Sequence, residues 1–358
     1  MRVVRRELPG ESDCVESGMD GNNRRRTGPR SHGDGIPPSR EIHTLDSMPI
    51  NPLMNTTPYW IESKNLPKSA ALRRDLKVDV VVIGGGITGV TAAYLLKKSG
   101  ATVALLERDR FASAETGHTT AHLTYVTDLR LQELIANFGS DHAQATWDAG
   151  QAAIEQIHEI CETERIACDF RWVPGYLHAP AGKANEDESA ALRNDAELAR
   201  ELGFEAAFLE NAPFVNRPGI RFANQAIFNP RKYVAGLLKT IRGDDSHAFE
   251  QTNVDEIQEE PLGVKANGRV IHCKHVFIAT HVPLQGAAGT LSAALFQTKL
   301  APYSTYAVGA KVPQGAAPQS SFWDTGTPYF YLRIDRKKGF DYAILGGADH
   351  KTGQARDP

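Results

Sequence analysis

The chain has 358 residues, 41% apolar and 23% charged, enough for about two domains with real cores, and its formal charge of −3 asks for neither nucleic acid nor an anionic membrane as a partner. No apolar run approaches the roughly 20 residues that span a bilayer, and no apolar leader follows the N-terminal arginines. Four scattered cysteines, Cys14, Cys161, Cys168 and Cys273, lack metal-site spacing and read as reduced thiols in a cytoplasmic protein without a metal centre.

Residues 1–56 are rich in Gly, Pro, Ser, Asn and Arg and lack apolar periodicity. Such a stretch buries too little surface to offset its ordering entropy and reads as a disordered extension. The fold is expected to begin near Pro58-Tyr59-Trp60. Asp79–Ile83 is a β-branched run that reads as a buried parallel strand. Gly84-Gly85-Gly86 ends it. Thr88–Lys98 then carries Val90, Ala93, Tyr94 and the stem of Lys97 at helical spacing, and Ser99-Gly100 stops that helix. Thr102–Leu106 is a second buried strand, completing a β-α-β unit of about 30 residues. His142–Cys161 reads as a helix with Ala145, Ala149, Ala152 and Ile157 on its apolar face. Phe170–Val173 and Tyr176–Ala179 read as strands, and Glu186–Leu202 and Pro230–Ile241 as amphipathic helices. Phe249–Val254, Val264–Ala266 and Val270–Ile271 follow as strands, with Asn267-Gly268 at a hairpin turn. His275–Ala279 reads as another buried strand, and Tyr303–Ala310 and Tyr329–Asp335 alternate like antiparallel ones. Trp147, Trp172 and Trp323 are expected in the core or at a domain interface. The expected fold class is α/β, with a Rossmann-like parallel sheet joined to a mostly antiparallel-sheet domain.

One motif carries chemistry. Gly84-x-Gly86-x-x-Gly89 follows a predicted strand, opens a predicted helix, and is answered by Glu107 about 20 residues on, at the end of the next strand. Gly84 permits the tight turn, Gly86 lets a diphosphate approach the backbone, and Gly89 lets helix and strand pack closely. The N–H groups from Gly85 through Ile87 and Thr88 then face the phosphates, aided by the positive end of the helix. Glu107, followed by Arg108, suits ribose hydroxyls and disfavours a 2′-phosphate. The loop alone does not separate FAD from NAD, and a glycine turn without ligand is the plainer alternative.

The run from Asp79 to Leu96 resembles the opening of the D-amino-acid oxidase superfamily of FAD-dependent oxidoreductases, which includes glycine oxidase and sarcosine oxidase. Four further segments are similar in the same order: Thr116-Gly-His-Thr-Thr-Ala-His122, Asn229-Pro230-x-x-Tyr233, Thr252-x-Val254 and Ala279-Thr280-His281-Val-Pro283. Pro58-Tyr-Trp60, Tyr329-Phe-Tyr-Leu-Arg333 and Leu345-Gly-Gly-x-Asp-His-Lys-Thr-Gly353 are similar to a bacterial branch that carries a C-terminal Rieske [2Fe–2S] domain. The resemblance covers residues 57–358. It implies FAD, and oxidation of a CH–NH group of a small amino acid or secondary amine by hydride transfer to flavin N5. Electrons would pass on to oxygen or to an iron–sulfur domain. It also implies a discontinuous layout, with FAD-binding parts at 57–165 and 229–287 and substrate-domain parts at 166–228 and 288–358. Ala348 departs from the pattern, which has an acidic residue there. The family continues beyond the position of Pro358, so the chain reads as truncated, with an inactive FAD-binding fragment as the alternative.

The resemblance also assigns roles. Thr119 and Thr120 would meet the diphosphate or ribityl chain, Val254 the adenine, and Thr280 and His281 the cofactor at a strand's C-terminal end. His122 is similar to a histidine that contacts flavin, in some relatives through a covalent bond. Tyr331 and Arg333, two apart on a predicted strand and so on one face, would hold a substrate carboxylate.

Overall fold

A computed structural model describes residues 2–5, 55–181, 186–281 and 302–352. At its centre Val80–Ile83 and Val103–Leu106 run parallel, flanked by His275–Ile278 on one edge and His247–Phe249 on the other. Side chains alternate along a strand. Val80, Val82, Val103 and Leu105 therefore enter one apolar cluster, with the helices Ile87–Lys98 and Pro230–Ile241. Val81, Ile83, Ala104 and Leu106 enter another, against Val264, Ala266 and Ile271. Burial on both faces is why these strands read as continuous apolar runs. The second cover is an antiparallel meander of Val254–Glu259, Leu262–Ala266 and Arg269–His272, extended by a parallel pairing with Leu76–Lys77.

The two covering helices are tied together at their ends. Asn229 caps Pro230–Ile241 by accepting from the Arg231 and Lys232 N–H groups, and Pro230 sits where a missing N–H costs nothing. At the other end the Lys97 ammonium donates to the carbonyls of Thr240 (3.0 Å), Ile241 (3.2 Å) and Gly243 (3.0 Å). A cation there also meets the negative end of the helix.

The second half is a nine-stranded sheet. Its order is Arg2–Arg5, Tyr303–Val312, Asp341–Lys351, Tyr331–Arg336, Ser321–Asp324, Arg171–His178 and Gly219–Ile227, with Ala206–Leu209 and His122–Leu123 both pairing with Gly219–Ile227. Pairing is antiparallel except between Ser321–Asp324 and Arg171–His178. Tyr331 lies opposite Trp323, and Trp323 opposite Leu177, so these three share one face, with Arg333. At one end that face packs against the helices Leu131–Phe138, Ser140–Thr163 and Glu186–Glu201. At the other, Tyr342 and Ile344 reach the cluster around Trp60. Among the described residues no helix is long and apolar enough to cross a membrane, and no group of three or more His, Cys, Asp or Glu is placed to hold a metal ion.

Several expectations change. Arg2–Arg5 forms a strand against Tyr306–Gly309 instead of belonging to a wholly disordered extension; the rest of residues 1–54 lies outside the described residues. The helix Ser140–Thr163 buries Ala143, Trp147 and Ile154, while Ala145, Ala149 and Ala152 face solvent. One indole carries more apolar area than several methyls, and it sets the rotation. Trp172 is 43% exposed and so is not a core residue. His275–Ile278 is an edge strand, not a buried one, with Ile278 56% exposed. Gly219–Ile227 escapes a periodicity reading because Asn224 (φ 57°) breaks the alternation where the register against Val173 and Gly175 shifts. Cys161 and Cys168, seven residues apart, bring their Sγ atoms to 3.2 Å in the core.

Glu250 organises the loop beside Glu107. Its buried carboxylate accepts from the Ser69 N–H (2.7 Å), the Phe111 N–H (2.8 Å) and Arg110 Nη1 (2.6 Å). Glu250→Ala leaves Arg110 Nη1 and two amides without their acceptor, Arg110 Nη2 keeping the Leu66 carbonyl. It is expected to cost about 3 kcal/mol, seen as a lower midpoint in urea unfolding, whereas an unchanged midpoint would show that these contacts are marginal.

Candidate active site

The turn after Val80–Ile83 is shaped by what its glycines exclude. Gly84 has φ +110°, and a Cβ there would collide with the Ala279 carbonyl. A Cβ on Gly89 would collide with the Gly84 carbonyl oxygen, so the helix Ile87–Lys98 rests directly on the strand end. Gly86 differs: its Cβ would meet only Thr116 Oγ1, at 3.4 Å. The backbone at Gly86 therefore borders open space.

The donors around that space are distinct. The Ile87 N–H donates to Thr116 Oγ1 (2.9 Å). The N–H groups of Gly86, Thr88 and Gly89, at the positive end of the helix, have no acceptor among the described residues. Glu107 stands beside them, half-buried. Its Oε2 accepts from the Gly85 N–H (2.7 Å) and its Oε1 from the Asp109 N–H (2.7 Å). Each oxygen keeps a further lone pair. Thr280 abuts the turn, its N lying 3.3 Å from where a Gly84 Cβ would be; its side chain and that of His281 (φ 65°) are exposed. Val254 pairs with Ala266 and packs on the cluster of Ile83 and Leu106. Arg108 projects to solvent, 71% exposed and paired with Asp109. Thr116 was not among the individually expected contacts. The signal for it was only a hydroxyl residue just after the acidic strand, and its partner at Ile87 is 29 residues away.

The loop that follows runs from this turn to the large sheet. Thr119 Oγ1 accepts from the Ala121 N–H (3.0 Å), its carbonyl accepts from Trp60 Nε1, and Ala121 holds the left-handed φ of 58°. Arg333 secures the turn: Nη1 donates to the carbonyls of Thr120 (3.1 Å) and Ala121 (2.8 Å), and the guanidinium lies 4.8 Å from the Trp60 ring centre. The residue is 1% exposed. Burial draws its guanidinium down to about 10, still a cation at neutral pH. Arg333, expected as a carboxylate clamp, is thus enclosed, with Nη1 on backbone, Nη2 4.0 Å from Asp335 Oδ1 and Nε without a hydrogen-bond partner among the described residues.

His122 and Tyr331 are brought together, their ring centres 5.9 Å apart and edge-on. Thr305 Oγ1 lies 3.1 Å from the Tyr331 hydroxyl. His122 Nε2 is enclosed and finds no hydrogen-bond partner among the described residues. Burial, then the charge of Arg333, draws the imidazole down to about 3, so it is neutral at physiological pH. Beyond Tyr331 on the same sheet face, Tyr329 (ring centres 5.6 Å apart) opens onto a cavity of about 270 Å³, walled also by Trp147, Phe222 and Trp323.

The low value at His122 has a consequence for stability. Its ordinary value is 6.5, so between pH 6.5 and about 3 the unfolded chain binds a proton there that the folded chain excludes. The stabilisation is fully present above that window and falls as pH drops through it, by up to about 1.4 kcal/mol per pH unit. His122→Phe is expected to flatten this part of the profile in denaturant melts at stepped pH; the same slope in both proteins would refute a neutral, enclosed imidazole.

The pattern of the DAO family, described as FAD dependent oxidoreductase, matches residues 79–358. A Bacillus subtilis (strain 168) protein, YhfW, named as a Rieske 2Fe-2S iron-sulfur protein, is 30% identical over 302 residues, which cover 83% of this chain and 57% of that protein. The gamma-glutamylputrescine oxidoreductase of Escherichia coli (strain K12) is 24% identical over 235 residues, 63% of this chain and 54% of the enzyme. The chain thus spans little more than half the length of these relatives. Among solved structures, glycine oxidase from Geobacillus kaustophilus superposes with a TM-score of 0.57 at 15% identity, over 78% of this chain and 73% of that one. L-proline dehydrogenase from P. horikoshii gives 0.57 at 17% identity, over 79% and 72%. Those superpositions bear on fold, and they bear out the expected α/β class with its two sheet systems. The pattern match begins at the first buried strand and runs to Pro358, and by it the chain belongs to the DAO family of FAD-dependent oxidoreductases.

Proposed function

We propose that the chain oxidises the CH–NH group of a small amine or amino acid, with FAD as the immediate electron acceptor. The observation that carries this reading is the meeting of His122 and Tyr331 in a chain that also carries the open glycine turn and an aromatic cavity. The residues present fit FAD. A side chain at Gly86 would fill the space that the turn leaves open, and three helix-end N–H groups border it. Gly84, Gly85, Gly86, Ile87, Thr88 and Gly89 would hold the diphosphate, Glu107 the ribose and Val254 the adenine. Thr119, Thr120, Thr280 and His281 would border the path toward the large sheet. Bound FAD supplies a two-electron acceptor for the hydride next to the amine nitrogen.

The chain's own residues do the positioning. His122 is neutral, and its Nε2, donor or acceptor by tautomer, is enclosed away from water. We assign it a non-covalent contact with the flavin. Arg333 holds Ala121 in its uncommon backbone conformation and so aims the neighbouring His122. The Tyr331 hydroxyl, held by Thr305, would orient the substrate. Electrons would leave to oxygen or, as the name of the YhfW relative suggests, to an iron–sulfur centre; a peroxide assay separates these routes.

The purified chain mixed with FAD is expected to show a bound-flavin band at about 450 nm. Gly89→Val, which forces the helix off the strand end, is expected to abolish it. Glu107→Ala is expected to weaken FAD binding by about tenfold, the value of one charge-assisted contact. Acid precipitation should release the yellow colour, and retention on the protein would replace the contact at His122 by a bond. Anaerobic addition of a substrate amine should bleach the band. Flavin-loaded protein that no amine or amino acid in a broad panel can bleach would end the proposal.

A further inference from the structure

We infer that the cavity beside Tyr329 takes the cationic end of an aliphatic diamine or polyamine, and that the chain does not hold its substrate by a carboxylate. This rests on the amine oxidation proposed above and names its substrate class.

The cavity, about 270 Å³, is lined by Asp128, Glu133, Asp195 and Asp324 against a single cation, Arg130. One positive and four negative charges leave a formal −3. Arg130 is held by Asp195 (2.7 Å) and by Glu188 (3.1 Å), so the excess toward a ligand rests on Asp128, Glu133 and Asp324. Asp324 is buried, and its Oδ1 accepts from the N–H groups of Gly326 (2.9 Å) and Phe330 (3.1 Å), which fix it without neutralising it. Asp128 and Glu133 stand exposed. Burial and the charges of Asp128 and Asp349 together push the Tyr329 phenol up, so this wall feels further negative charge.

The apolar walls point the same way. Trp147, Phe222, Trp323 and Tyr329 present aromatic rings, whose faces attract cations. Phe222 and Trp323 are stacked, with interplanar angle 12°. In the same wall Thr325 Oγ1 is enclosed and has no hydrogen-bond partner among the described residues. A carboxylate entering here would meet like charge. The arginine on this sheet face nearest to Tyr331 in sequence, Arg333, is closed off by Trp60 and the carbonyls of Thr120 and Ala121.

Calorimetric titration of the FAD-loaded chain with putrescine and spermidine tests this, with sarcosine as the carboxylate-bearing comparator. Saturable, salt-sensitive polyamine binding is expected, together with much weaker binding of sarcosine. The double variant Asp128→Asn, Glu133→Gln is expected to weaken polyamine binding by about tenfold while keeping the melting temperature. Polyamine binding that the charge variant leaves unchanged, tighter binding of sarcosine, or binding of neither would overturn the inference. Flavin bleaching separates the two proposals. Bleaching by sarcosine without polyamine binding would sink the substrate class and spare the oxidation. Polyamine binding that never bleaches the flavin would do the reverse.

Discussion

The guanidinium of Arg333 joins the two halves of the molecule. It comes from the large sheet, stacks on Trp60, and donates to two carbonyls in the loop that leaves the parallel sheet. Hydrogen bonds from a charged donor contribute roughly 1.5–3 kcal/mol each, which must offset the cost of enclosing the charge. The result is local order where the chain has little else to impose it: Ala121 sits in the left-handed region, and the next residue is His122. The same charge helps keep that imidazole neutral. A residue of the kind that grips anions in solution acts here on backbone, with the Asp335 carboxylate 4.0 Å from its Nη2.

The glycine turn depends on a different constraint, the absence of side chains. Gly84 and Gly89 let strand end, helix start and the Ala279–Thr280 segment occupy one small volume. Glu107 and Thr116 then immobilise the turn from outside by accepting from Gly85 and Ile87. A rigid cradle loses little entropy when a diphosphate enters it. Glu250 extends the same logic by fixing the loop on the far side of Glu107.

Between cradle and cavity the electrostatics divide. The helix end and its unpaired N–H groups favour an anion, whereas the cavity past Tyr331 carries an excess of carboxylates. A cofactor with a diphosphate and a substrate with ammonium groups would each meet complementary charge, and neither would compete for the other's place. The family match supports the first half of this division, and the lining of the cavity supports the second.

Much of the parallel half was legible in the residues themselves, because its signals are local. The β-branched runs, the glycine spacing, the acidic residue about 20 positions on, and the Asn267-Gly268 turn each act within a few residues of themselves. What tertiary structure decided was every outcome that depends on a distant partner. Arg333 and the carbonyls it holds are 212 and 213 residues apart, and no periodicity records that meeting. The rotation of Ser140–Thr163, the exposure of Trp172 and the edge position of His275–Ile278 likewise depend on which surface arrives opposite. Sequence pattern determined that there would be a glycine turn between strand and helix and which side chains would alternate. Only packing determined which of those side chains met a ligand-sized space and which were used to hold the chain together, because burial and pairing belong to the assembled surfaces and not to any one segment.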